Sequence, residues 1–122
     1  MNNNYNEFDN GTLQYIDELS SINSEFEKPI SALDLSIIAQ RFQTIYEKLL
    51  STQIELIKEQ SQFSAIQVEK YQTRLDFAFK LVHLVNKKLL NAKKEFIRLA
   101  KSGAITSEKD AICFVDKDDL IQ

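Results

Sequence analysis

The chain has 122 residues, with 15 Lys plus Arg, 18 Asp plus Glu and a formal net charge of −3. That length suggests one domain, and 43% apolar with 27% charged residues suits a chain that folds in water. Two Gly, one Pro and no Trp argue against β-rich and α/β folds, whose turns consume glycine and proline, and favour an all-α fold of long helices.

Other classes fall away on single residue types. Cys113 stands alone, so it forms no internal disulfide and builds no cysteine-rich metal site. No run approaches the ~18 apolar residues of a membrane span. The stretch from Met1 to Asn10 has neither a basic nor an apolar segment, which predicts a cytoplasmic protein or one exported without a cleaved signal peptide.

Residues 1–11 are Asn-rich and end in Asn10-Gly11. They are expected to form a disordered leader. A short helix is expected from Thr12 to about Glu27, with Leu13, Ile16, Leu19, Ile22 or Asn23, and Phe26 near one stripe. Lys28-Pro29 stops it, because a residue before proline avoids the helical region. Ser31 and Asp34 then form a capping-box pattern that starts the next helix.

From Ile30 to Ser102 there is neither Gly nor Pro. One straight helix over residues 31–101 would run roughly 105 Å, too long for a domain this small to bury. Leu35, Phe42, Leu49, Leu56 and Phe63 recur every seven residues, with Ile38 and Ile45 between them, but the pattern fails at Thr52 and Glu59. A second row runs through Val68, Tyr71, Leu75, Ala78, Val82, Val85, Leu89, Ala92, Phe96 and Leu99 in steps of three and four. The rows are out of phase, so a turn near residues 59–64 is preferred over a bent continuous helix. The expected architecture is a long antiparallel hairpin, residues 31–60 and 65–101, with the short N-terminal helix completing a three-helix or coiled-coil-like bundle. Residues 12–101 form the single helical domain, closed by Ser102-Gly103.

Phe77, Leu81 and Leu84 lie beside the second row, and Leu90 and Ile97 lie further round. That is more apolar surface than one seam needs. It fits either a multi-helix monomer or contact with other chains. Residues 102–122 read as an acidic tail or docking element. Within it Ala111–Val115 can be a strand, a helical turn or a docking peptide.

Charge is segregated. Residues 1–34 hold seven acids and one base, residues 80–101 seven bases and one acid, and residues 103–122 five acids and two bases. Lys80, Lys87, Lys94 and Lys101 repeat every seven residues opposite the seam. They suit a solvated face or electrostatic pairing with acidic segments of this or another chain. With one Arg in the basic segment, nucleic acid is not the expected partner.

Catalytic patterns are missing. His83 is the only histidine and has no Asp, Glu or Cys at helical reach. Glycine occurs only at 11 and 103, so no phosphate-binding loop is available. Cys113 has Asp110 and Asp116 nearby, whose charges disfavour a thiolate. No enzymatic activity, cofactor, metal or small-molecule substrate is expected.

The segment Val85-Asn-Lys-Lys-Leu-Leu-Asn-Ala-Lys-Lys-Glu-Phe-Ile-Arg-Leu99 resembles the C-terminal helix of the flagellar hook–basal-body adapter family, whose pattern is V-x-N-K-L-x-x-A-x-x-E-I-x-R-M. Val85, Asn86, Lys87, Leu89, Ala92, Glu95 and Arg98 match when one extra residue is allowed at Lys88. The inner-rod subunits of type III secretion systems are related. The resemblance implies an exported structural subunit whose helices stack into a tube.

The leading expectation is a non-enzymatic interaction or assembly protein, with a component of a type III secretion or basal-body apparatus as its more specific form. It would act through a seam of Val68, Tyr71, Leu75, Val82, Val85, Leu89, Phe96 and Leu99. The alternative is a small acidic helical binder of one partner protein, such as a secretion chaperone, immunity protein or phage-encoded inhibitor. Lys87, Lys88, Lys93, Lys94 and Arg98 are the candidate electrostatic contacts.

Overall fold

The computed structural model describes residues 3–114, with side chains from Asn10 onward. Three helices make up nearly all of it: α1 over Asn3–Glu25, α2 over Ala32–Glu59 and α3 over Ala65–Ser102. Two-residue strands follow α1 and α3, β1 over Ile30–Ser31 and β2 over Ala111–Ile112. Each helix touches the other two. The chain is therefore an all-α bundle built on a long hairpin.

The helix ends are local chemistry. Ser31 accepts from the Asp34 amide at 3.1 Å while Asp34 accepts from the Ser31 amide at 3.0 Å. This capping box satisfies two amides that a bare helix start would leave unpaired. A second box starts α3, Ser64 with Gln67, at 3.0 and 3.1 Å. Between them α2 tightens into a 3₁₀ turn over Gln60–Gln62, and the buried Phe63 pins the bend. At the far end Gly103 caps α3 with φ 80°, a left-handed conformation that costs glycine little.

Both apolar rows of the hairpin face inward. Ile38, Phe42, Ile45, Leu49 and Leu56 from α2 meet Tyr71, Leu75, Ala78, Val82, Val85, Ala92 and Phe96 from α3. Thr52, where the first row breaks, is buried too, and its hydroxyl donates to the Lys48 carbonyl at 2.8 Å. A polar side chain that bonds its own helix can occupy a core position without leaving a donor unmet.

Three expectations need correction. First, the N-terminal helix starts at Asn3 rather than Thr12, so residues 3–11 are not a separate leader. The first two residues lie outside the described chain. Asn and Gly are weak helix formers, but Thr12 is fully buried and donates to the Tyr71 hydroxyl at 3.1 Å. Docking of α1 on α3 thus overrides propensity. The expected stripe holds at Leu19, Ile22 and Phe26, which are buried, and at Ile16, which packs on the core, but Leu13 is 42% exposed and the neighbouring Thr12 is buried instead.

Second, residues 102–114 belong to the fold. β2 pairs antiparallel with β1, Ile30 opposite Ile112 and Ser31 opposite Ala111. The Leu33 amide donates to the Glu108 carbonyl at 3.1 Å. Ile105, Ile112 and Phe114 pack on the core, and the Phe114 ring meets Phe96 edge-on at 5.5 Å. Asp110 accepts from the Thr106 and Ser107 amides at 2.9 and 3.1 Å, so this acid closes a turn. The rest of the expected acidic tail, from Val115 on, lies outside the described residues.

Third, the seam is not a contact surface. Tyr71, Leu75 and Val85 are 0% exposed within one chain, and Val82 and Phe96 are buried with them. Val68 and Leu89 pack partly buried against the same core, and Leu99 is half-buried. The apolar face that periodicity marks for burial is filled largely by this chain's own α1 and α2.

Candidate docking surface

The part of α3 that α1 and α2 leave uncovered carries three parallel rows. A helix turns 100° per residue, so positions seven apart drift only ~20° and line up along it. The middle row is Lys80, Lys87, Lys94 and Lys101, all exposed. To one side run Phe77, Leu84, Asn91 and Arg98, with Phe77 51% and Leu84 41% exposed. To the other run His83, Leu90 and Ile97, with Leu90 51% and Ile97 47% exposed. The surface is a cationic ridge whose borders are apolar at Phe77, Leu84, Leu90 and Ile97 and polar at Asp76, His83, Asn91 and Arg98.

Among the described residues no ion pair joins the four lysines to a carboxylate of this chain. Two acids of α1 turn toward α2: Glu18 accepts from Arg41 at 2.9 Å, and Glu25 lies 3.9 Å from the same guanidinium. Exposed pairs of this kind are worth little each, but they hold Glu18 and Glu25 toward α2 and away from the ridge. Arg98 is bound by Glu95, three residues back on α3. That hydrogen bond, and then the Glu95 charge, raise the guanidinium pKa further above its ordinary value.

The five cations expected to act together do not form one group. Lys87 and Lys94 stand on the ridge and Arg98 on its border. Lys88 is half-buried, in line with Leu81 and Glu95. Lys93 is exposed but in line with Phe79 and Asn86, which face α2 across a recess also lined by Tyr46 and His83. Lys80, Lys101, Leu84, Leu90 and Ile97 belong to the surface as well. Their seven-residue spacing was the signal, but only the positions of α1 and α2 show which rows stay uncovered.

No three His, Cys, Asp or Glu side chains stand close enough to hold a metal ion among the described residues. The larger surface recess, lined by Gly11, Tyr15, Glu47, Lys48, Thr52 and Glu55 among others, contains no histidine or cysteine. No described helix is long and apolar enough to cross a membrane. Comparison of the chain with protein families, with curated proteins and with solved structures found no match.

Proposed function

We propose that this chain is a non-enzymatic helical binding protein that engages an acidic partner protein through the outer face of α3. The observation that carries the reading is the lysine ridge of Lys80, Lys87, Lys94 and Lys101, unpaired among the described residues and flanked by the exposed Phe77, Leu84, Leu90 and Ile97. An acidic partner neutralises the ridge and steers encounter, while its apolar side chains remove Leu84, Leu90 and Ile97 from water at roughly 25 cal/mol per Å². A phosphate backbone would satisfy the lysines but not those borders, which favours protein over nucleic acid. The fold supplies a preformed platform, because the core is complete without a partner.

The resemblance of residues 85–99 to the basal-body adapter family bears on the same surface. Lys87 and Arg98 of the matched pattern stand on it, whereas Val85 and Ala92 lie in the core and Leu89 packs partly buried against it. An assembly role of that kind therefore has to run through the outer face of α3 rather than through the seam.

The test is affinity capture from the native host with wild-type chain and with Lys87→Glu/Lys94→Glu, followed by titration of the purified partner. The expected partner has an acidic contact surface, its affinity falls as salt rises, and the double variant binds at least roughly tenfold more weakly. A partner bound equally well by the variant, or retardation of nucleic acid in a gel at low salt, would overturn the reading.

A further inference from the structure

The described chain stops at Phe114, and residues 115–122 read Val-Asp-Lys-Asp-Asp-Leu-Ile-Gln. Asp116, Asp118 and Asp119 are set against one base, Lys117, and the apolar pair Leu120-Ile121 follows them. Phe114 fixes where this segment leaves the bundle. Its ring meets Phe96 of α3 edge-on at 5.5 Å. Phe96 in turn lies two residues from Lys94 and five from Lys101, ~3 and ~7.5 Å along the helix axis.

Leu90, Lys94, Ile97 and Lys101 stand at i, i+4, i+7 and i+11, so they share one face of the last part of α3. Leu90 is 51% and Ile97 47% exposed, and both lysines are exposed. Neither lysine has a carboxylate partner among the described residues. The face therefore offers two cations and two apolar side chains.

We propose that segment 115–122 folds back along this face and covers it, as an intramolecular occupant that an acidic partner has to displace. The inference rests on the ridge being an acid-binding surface and names what competes for it. Charge and residue order select this occupant. Running from Phe114 back along α3, the segment presents its acids first and its apolar pair afterwards. Asp118 and Asp119 meet Lys101 and Lys94, and Leu120 and Ile121 lie over Ile97 and Leu90. Nearby acids of the described chain are held elsewhere: Glu18 and Glu25 turn toward Arg41, Glu95 holds Arg98, and Asp110 closes its own turn.

The reach is sufficient. Phe96 is buried, and two steps of 100° set it roughly opposite Lys94, so the segment passes half way round α3. Half the circumference of a helix ~10 Å across is ~16 Å. The five residues from Phe114 to Asp119 span up to ~17 Å, and the eight to residue 122 up to ~27 Å, at ~3.4 Å each. Exposed ion pairs are worth little each, but so short a tether keeps the segment at a millimolar effective concentration. Weak contacts then hold it over the ridge, and a partner with a larger acidic and apolar surface still displaces it.

Two-dimensional nitrogen–proton correlation NMR of the full chain tests this without a partner. Asp116→Asn/Asp118→Asn/Asp119→Asn should shift the amide signals of Leu90, Lys94, Ile97 and Lys101 and leave those of α2 in place. Raising salt on the wild type should shift the same signals in the same direction, and the triple variant should lose that salt response. The salt titration keeps the test decisive even if the variant folds poorly. Ridge signals unmoved by the triple substitution would overturn the inference. So would a response that grows with protein concentration, which would put the segment on a second copy. Undocked acids leave the ridge open and the partner reading standing, whereas a chain that captures no acidic partner still shows these shifts if the segment docks, so the two fail separately.

Discussion

Replacing Leu75 with alanine tests whether the α3 seam is core or contact. The side chain is 0% exposed within a single chain. Truncation removes three buried carbons, about 2.4 kcal/mol at ~0.8 kcal/mol each. A residual void of ~50 Å³ would add about 1.2 kcal/mol at ~24 cal/mol per Å³. The sum, about 3–4 kcal/mol, is a large part of the ~5–15 kcal/mol that holds a domain together. It should lower Tm by about 10–15 °C. Leu90 on the same helix is 51% exposed, and its truncation should cost under about 1 kcal/mol because most of the lost surface already meets water. Urea unfolding tracked by far-UV circular dichroism, at a concentration where the chain is monomeric, gives both numbers. Equal costs at the two positions, or a Leu75→Ala cost under about 1 kcal/mol, would refute the assignment of the seam to the core of one chain.

Substitutions at two further positions probe the end of α3 and the segment beyond it. Gly103→Ala places a Cβ at φ 80°, where the surroundings are open, so the cost is backbone strain alone, about 1–2 kcal/mol by thermal unfolding; Gly103→Asn should cost less, since asparagine tolerates that region. Phe114→Ala removes the edge-on contact with Phe96 at 5.5 Å, with an expected loss of about 1–3 kcal/mol. It should also speed amide hydrogen exchange at the β1–β2 pair, and protection unchanged from wild type would separate strand pairing from that ring contact.

The candidate surface was half legible in the sequence. The seven-residue spacing of Lys80, Lys87, Lys94 and Lys101 showed one solvated line, and the excess of leucine and isoleucine on α3 was visible as surplus. Lys88 and Lys93 looked equivalent to Lys87 and Lys94 because proximity in the chain hides a 100° turn at every step.

By itself the sequence determined the two long helices of the hairpin and their ends. The missing Gly and Pro between residues 30 and 102, the Ser31–Asp34 box, the break near residues 59–64 and Gly103 act within a few residues, and such local chemistry needs no tertiary context. Periodicity likewise marked which side of α3 leaves water. It did not say what covers that side, because burial by α1, by α2 or by another molecule leaves the same pattern of apolar residues. Only the tertiary structure decided that the seam closes within one chain, that Thr12 joins Tyr71 across 59 positions, and that residues 30–31 pair with 111–112. Each of those contacts joins distant segments, and its free energy exists only once the chain has brought them together.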